Sequence, residues 1–246
     1  KNSNWPDNWV TNPEVWFTFM AKANYKFRSI TLIMAFILFS CAGQEITSQR
    51  PEDADIYYKS GLAFLERDQL DLALNEFRKA LEINPQHIEA LHESGVVYLR
   101  KGELDQAAEK FHKVIKIKSD LPIAHRNLGT IYLTKKSIDQ AIREFKEAVQ
   151  LAPHEFYSHY LLGKAFLEKG IEELAILEFQ ESVRLNQSFP EVRQELAYIY
   201  HQKGHKEDNP VLFEKAIKEI KSALVNSPAD DEAHELLGEL YLDTGT

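Results

Sequence analysis

The stretch Ser60–Pro85, SGLAFLERDQLDLALNEFRKALEINP, decides the fold. Its apolar residues Leu62, Leu65, Leu70, Ala73, Leu74, Phe77, Ala80 and Leu81 recur mostly at steps of three and four, the period of a helix with one buried face. Gly61, Ala73 and Ala80 are small, so two such helices can approach closely. The pattern then repeats along the chain. Gly61, Gly95, Gly129 and Gly163 are each 34 residues apart, and Ala197 falls on the same grid. Three residues after each small residue stands Phe64, Tyr98, Tyr132, Phe166 or Tyr200. Ala73, Ala107, Ala141 and Ala175 follow the glycines by twelve, and Phe77, Phe111, Phe145 and Phe179 come four beyond those alanines. Pro85, Pro153 and Pro228 close units, whereas Pro122 and Pro190 sit three residues later and open the next helix, where proline is tolerated. A fixed period of this length belongs to architectures in which each unit buries its apolar face against its neighbour.

The small residue, first aromatic, alanine, second aromatic and proline at these offsets resemble the tetratricopeptide repeat family. The resemblance covers residues 54–246, about five and a half repeats. It implies an all-α, right-handed superhelical solenoid of helix-turn-helix units. Two departures stand out. Between Gly204 and Ala216 the fifth repeat is seven residues longer than its siblings, so its inter-helix connection is expected to bulge outwards. Gly238 and Tyr241 begin a sixth repeat in which Leu236, Leu237, Leu240 and Tyr241 lack the polar outer face of a terminal unit. The solenoid is therefore expected to be truncated at its C-terminal end.

Ahead of the repeats, Lys22, Lys26 and Arg28 precede ITLIMAFILF, Ile30–Phe39, an uncharged run of ten residues. That is too short for a bilayer span of roughly 20 residues and fits a secretory signal. Leu38, Phe39, Ser40 and Cys41 follow and resemble the lipobox of bacterial lipoproteins, with Phe39 a departure from the usual small or aliphatic residue. The resemblance implies lipidation of Cys41 and a bacterial envelope location, at the periplasmic face of the outer membrane. The expected organisation is a non-native upstream extension over 1–19, a signal over 20–40, the lipidated cysteine and a flexible tether over 41–53, and the solenoid over 54–246.

The 246 residues are 44% hydrophobic and 27% charged, a balance that folds in water. Lys and Arg number 29 against 38 Asp and Glu, a net charge of -9 that argues against nucleic acid. Loss of residues 1–41, with four basic and two acidic side chains, makes it -11. One cysteine supplies neither a disulfide nor a cysteine-rich zinc site. His201 and His205 have a metal-binding spacing, but Gly204 is expected to end the helix between them, leaving solvated loop histidines; no metal or cofactor is expected. His125, His159 and His234 occupy the fourth repeat position, beside Tyr57 and Leu91 in other repeats, and are expected to be partly buried packing residues. With no phosphate-binding glycine loop and no serine in a nucleophile elbow, the chain is not expected to be an enzyme or to take a small-molecule substrate.

In the family, the first helix of each repeat lines a concave groove. Carried over, the resemblance places Tyr58, His92, Arg126, Tyr157, Tyr160, Lys164, Gln194 and Tyr198 there, with Asp55, Glu89, Ile123, Glu191 and His201 beside them. Tyr157, Tyr160 and Tyr198 are the strongest candidates for peptide contact, because tyrosine combines area with a hydrogen-bonding tip. The Lys and Asn with which chaperone-binding members hold a carboxylate are replaced by Tyr58 and Leu62, which argues against a chaperone tail, while Asn127 matches an asparagine that grips peptide backbone in some members. The implied function is a lipid-anchored adaptor that binds a protein segment. A lipobox, a tether and such repeats resemble the pilotin family of the type IV pilus secretin, which implies an outer-membrane secretin as partner. The competing expectation is a substrate-presenting region of an enzyme, such as a glycosyltransferase, with its catalytic domain beyond Thr246.

Overall fold

The computed structural model describes residues 51–245, and the signal, lipobox and most of the tether expected from the sequence lie outside them. Eleven helices follow one another among the described residues, paired as antiparallel hairpins. They are α1 (Pro51–Glu66) and α2 (Leu70–Ile83), α3 (Ile88–Arg100) and α4 (Leu104–Ile117), α5 (Pro122–Thr134) and α6 (Ile138–Leu151). Then come α7 (Phe156–Glu168) and α8 (Glu172–Leu185), α9 (Pro190–Glu207) and α10 (Pro210–Asn226), and a final α11 (Asp231–Thr244). Each helix packs on the next, which produces the superhelical solenoid. The first helix begins at Pro51, inside the stretch expected to be tether. Among the described residues no helix is long and apolar enough to cross a membrane.

The 34-residue grid has a direct packing cause. Phe77, Phe111, Phe145 and Phe179 are fully buried, each laid against the glycine of its own repeat. A Cβ at Gly95, Gly129 or Gly163 would come within 2.8, 2.7 or 2.6 Å of a ring carbon, and one at Gly61 closer still. Any side chain there would displace the ring. Ala73, Ala107, Ala141 and Ala175 are also fully buried.

Within each hairpin the chain reverses through a left-handed residue, Asp68, Gly102, Lys136 or Gly170. The next residue then donates its N–H back across the turn: Gln69 to Phe64 O at 2.9 Å, Glu103 to Tyr98 O at 2.9 Å, Ser137 to Tyr132 O at 2.8 Å and Ile171 to Phe166 O at 2.9 Å. This is a Schellman closure, which satisfies a carbonyl left free at the helix end. Between the first five repeats, Lys101–Asp71 (2.9 Å), Lys135–Asp105 (2.6 Å), Lys169–Asp139 (2.7 Å) and Lys203–Glu173 (3.1 Å) form an ion pair at equivalent places in each junction. Exposed pairs of this kind add little stability. Their regularity tethers the end of each first helix to the start of the preceding second helix.

The fifth repeat corrects the expected bulge. Its extra residues extend both helices: α9 has 18 residues and α10 has 17, against 13 and 14 in α7 and α8. Only Asp208 and Asn209 join them, with Asp208 left-handed and Asn209 N–H bonded to Gly204 O at 2.9 Å. Gly204 lies inside α9, seven residues or about two helical turns beyond Ala197 and so on the same face. There it meets Phe213, whose ring lies 2.7 Å from where a Cβ would stand. The hairpin has thus gained a glycine–phenylalanine contact near its tip, while Ala197 and Ile220 occupy the grid places of the usual pair.

Gly129→Ala should cost about 1–3 kcal/mol by overpacking. Gly238→Ala, with nothing within 4 Å of the new carbon, should be neutral or stabilising through helix propensity. Thermal melts of the two variants check this ordering.

Candidate peptide-binding groove

The first helices α7, α9 and α11, with α10 beneath them, enclose a cleft of about 410 Å³. Ile220, Ala233 and Leu236 give it an apolar base, and Tyr160 and Tyr198 stand at its sides. Glu191, Glu195, Glu232, Glu235 and Glu239 surround it, and its lining includes no Lys or Arg. Ile220 stands where the earlier repeats carry phenylalanine, so a smaller residue lies at the base of this cleft. A larger cleft of about 630 Å³ lies around α2, α3 and α4. Its charges are of both signs, Asp71, Arg78, Glu82, Lys110 and Lys113, and several are already paired, as in Lys101–Asp71 and Lys113–Glu109.

The structure sorts the sequence-predicted groove residues into two groups. In the later repeats Tyr157 and Tyr160 lie 5.7 Å apart, centroid to centroid. Both meet Phe189 edge-on, at 6.1 and 5.0 Å. Arg126 sits over the Tyr157 ring and Lys164 over that of Tyr160, at 5.5 and 5.6 Å. Each cation also has a carboxylate: Arg126 pairs with Glu155 at 3.1 Å and Lys164 with Glu195 at 3.1 Å. Tyr198 is 53% exposed and free of ring contacts with this cluster, so it offers a face to a ligand. Gln194 donates to Asp230 and is held on the cleft wall.

Tyr58 and His92, in the earlier repeats, are engaged inside the fold. The Tyr58 ring packs on Phe77 and on buried His87, at 6.0 and 5.1 Å. His92 packs edge-on to Phe111 at 5.6 Å and lies 3.3 Å from Asn127 Nδ2. Asn127, matched to a backbone-gripping asparagine, therefore already has a neighbour for its amide. Phe189 is the residue that sequence reading missed. Its signal was an aromatic in the polar linker NQSF just before Pro190.

Burial raises the Tyr160 phenol above its ordinary range. Burial also opposes the charge of Lys164, but the attraction of Glu195 and Tyr160 outweighs it and the ammonium is held above its usual value. For Glu155, burial is offset by bonds from Ser158 and by Arg126, and its carboxyl is lowered. Tyr160 is therefore held neutral, and Arg126 and Lys164 are committed to carboxylates.

Of the three fourth-position histidines, His125 and His159 are buried and bridge three pieces of their repeat. His125 Nδ1 is 2.8 Å from Glu144 and its Nε2 3.0 Å from Ser119 O; His159 Nδ1 is 2.7 Å from Glu178 and its Nε2 3.1 Å from Pro153 O. His234 is exposed instead, keeping only the bond to Pro228 O at 2.9 Å, because no second helix covers it among the described residues. His201 and His205 are a further correction. The helix runs through Gly204, so both sit on α9, with His201 buried and out of the groove.

This is a solenoid of helical hairpins with a concave aromatic cleft, a class built for holding extended protein segments. Family models described as TPR repeat match residues 61–102 and 95–136, and one described as tetratricopeptide repeat matches 126–190. The chain belongs to the tetratricopeptide repeat proteins. Comparison with curated proteins by sequence gives no match. Among solved structures, MamA from Desulfovibrio magneticus is 21% identical with TM-score 0.63, covering 72% of this chain and 97% of its own. YrrB, described as a TPR protein with an unusual peptide-binding site, is 21% identical with TM-score 0.62, covering 76% and 93%. PilF of Pseudomonas aeruginosa is 23% identical with TM-score 0.59, covering 78% and 91%. At these identities the likeness is one of fold. Tetratricopeptide repeats are protein-interaction modules rather than catalytic ones.

Folding raises the His159 pKa, chiefly through the bond to Glu178, against the opposing effect of burial. The folded chain thus holds this proton more tightly than the unfolded one. Its contribution is complete below the unfolded value of about 6.5 and is lost as pH rises through the higher folded value. The denaturant midpoint of the wild type should fall over that window relative to Glu178→Gln, and parallel unfolding curves across pH measure the difference.

Proposed function

We propose that the chain is an adaptor that captures an extended, basic or neutral protein segment in the cleft between α7 and α11. The observation that carries this reading is the pairing of exposed Tyr198 and half-buried Tyr160 with four glutamates in no ion pair, Glu191, Glu232, Glu235 and Glu239, beside the Lys164-paired Glu195 around an apolar base. An aromatic or aliphatic side chain of the segment fills the cleft, and Lys or Arg beside it meets the rim. Acidic rims of this kind steer encounter, while buried aromatic contact sets the lifetime of the complex. The peptide-binding description of YrrB, a chain of similar fold, agrees with this use of the groove.

The finer part of the reading rests on the sequence. Lipidation of Cys41 holds the adaptor at the bacterial outer membrane, facing the periplasm, where it assists assembly of an envelope complex such as the type IV pilus secretin. The lipobox and the repeat architecture support it. Stable anchoring takes more than one acyl chain, which lipoprotein processing supplies.

Fluorescence anisotropy with labelled peptides tests the groove. Basic-aromatic peptides should bind and acidic ones should not, and Tyr198→Ala should cost about 2 kcal/mol, roughly thirtyfold in Kd. Equal binding of acidic and basic peptides would sink the reading. The anchor is tested separately by metabolic labelling with a palmitate analogue. The wild type should take up label and Cys41→Ser should not.

A further inference from the structure

The extension of the fifth hairpin carries His201 and His205, four residues apart on one face of α9. The last turn of α11 brings Asp243 against them. His201 Nε2 lies 2.7 Å and His205 Nε2 2.9 Å from the same oxygen, Asp243 Oδ2, and the two ring nitrogens are 3.1 Å apart. Three ligand atoms from two helices converge on one point. Around a tetrahedral zinc ion with bonds of about 2.0–2.1 Å, neighbouring ligands lie ~3.3 Å apart, so a small outward movement of these groups would admit the ion.

The three contacts cannot all be hydrogen bonds. Ionised Asp243 only accepts, so each imidazole must present an N–H to it, and those two N–H groups then face each other across 3.1 Å. Taking the proton from either ring turns its lone pair towards the carboxylate. A divalent cation among them removes the conflict, because all three atoms then act as lone-pair donors. A second observation concerns His201 itself. Its Nδ1 is the one buried side-chain nitrogen or oxygen among the described residues without a hydrogen-bond partner. An ion at Nε2 would leave this Nδ1 as a buried N–H, so the Nε2 geometry rather than this atom carries the site. The Phe213 ring, 6.0 Å from His201 and 5.0 Å from His205, fixes both imidazoles edge-on. The side chain of His205 is 52% exposed and that of Asp243 28%, which leaves a side open to water.

We propose that His201, His205 and Asp243 bind a zinc-class divalent cation, with water completing the tetrahedron, and that the ion staples α11 to α9. Two imidazoles and one carboxylate suit zinc and its first-row neighbours rather than magnesium or calcium, which take all-oxygen sets. The site is independent of the groove reading, since none of its ligands lines the cleft.

The full chain, stripped with a chelator, is titrated with zinc chloride in a calorimeter, and with cobalt(II) as a spectroscopic stand-in. One ion per chain, a visible spectrum of tetrahedral cobalt and a raised thermal midpoint are expected. His205→Ala and Asp243→Asn should each weaken binding by about 100-fold or more, first-sphere losses exceeding those of supporting residues. Both positions are solvent-accessible, so helicity should be retained; His234→Ala, outside the site, should bind as the wild type. Absence of zinc uptake by the wild type overturns the proposal. So does uptake unchanged in both variants, which would place the ion elsewhere among the nine histidines.

Discussion

A phenyl ring lying on a glycine holds this solenoid together. In four successive repeats the ring of the second helix occupies the space that a side chain on the first helix would need, and the two backbones are drawn together over it. The contact recurs once per hairpin, which is why its glycine and its phenylalanine each repeat every 34 residues. It fixes how far each hairpin closes, and that sets how its buried alanines meet the next unit. Stability in such an array is a sum of repeat and junction terms, so a defect at one glycine is felt at both junctions. The lysine–carboxylate pair that recurs at the first four junctions adds register rather than energy.

The fifth repeat shows how the same constraint absorbs a change. The seven extra residues are shared between the two helices, which grow from 13 and 14 residues to 18 and 17, so each gains about one turn. The hairpin closes over a fresh pair, Gly204 and Phe213, near its tip. The old pair, no longer solely responsible for closing it, is Ala197 and Ile220. The loss of a ring there coincides with the aromatic cleft, and the gain of a ring at the tip supports the paired imidazoles beside Asp243. The lengthened tip thus carries the His201–His205–Asp243 cluster, while the cleft is built on the regular part of the array.

Charge is distributed with the same economy. Arg126 and Lys164, the cations among the groove residues, are each committed to a glutamate and an aromatic ring. The glutamates around the cleft outnumber them, so the negative field of an acidic chain is focused at its mouth. Buried His125 and His159 each tie the two helices of a hairpin to the preceding turn.

The sequence by itself determined the helices, their pairing and the repeat boundaries, because a glycine and a phenylalanine held sixteen residues apart have one packing solution. It also placed Tyr157, Tyr160 and Tyr198 near one another, since repeat register projects equivalent positions onto one surface. It could not separate these from Tyr58 and His92, which share that register yet are engaged by Phe77, His87 and Phe111; burial depends on neighbours from other segments. Phe189 was hidden for the same reason, as a linker residue outside the helical period. Only the tertiary structure decided that Gly204 continues its helix, because a glycine ends a helix or admits a ring according to what packs on it, here Phe213. With that settled, His201 and His205 share a face, and Asp243, some forty residues away along the chain, comes within hydrogen-bond distance of both.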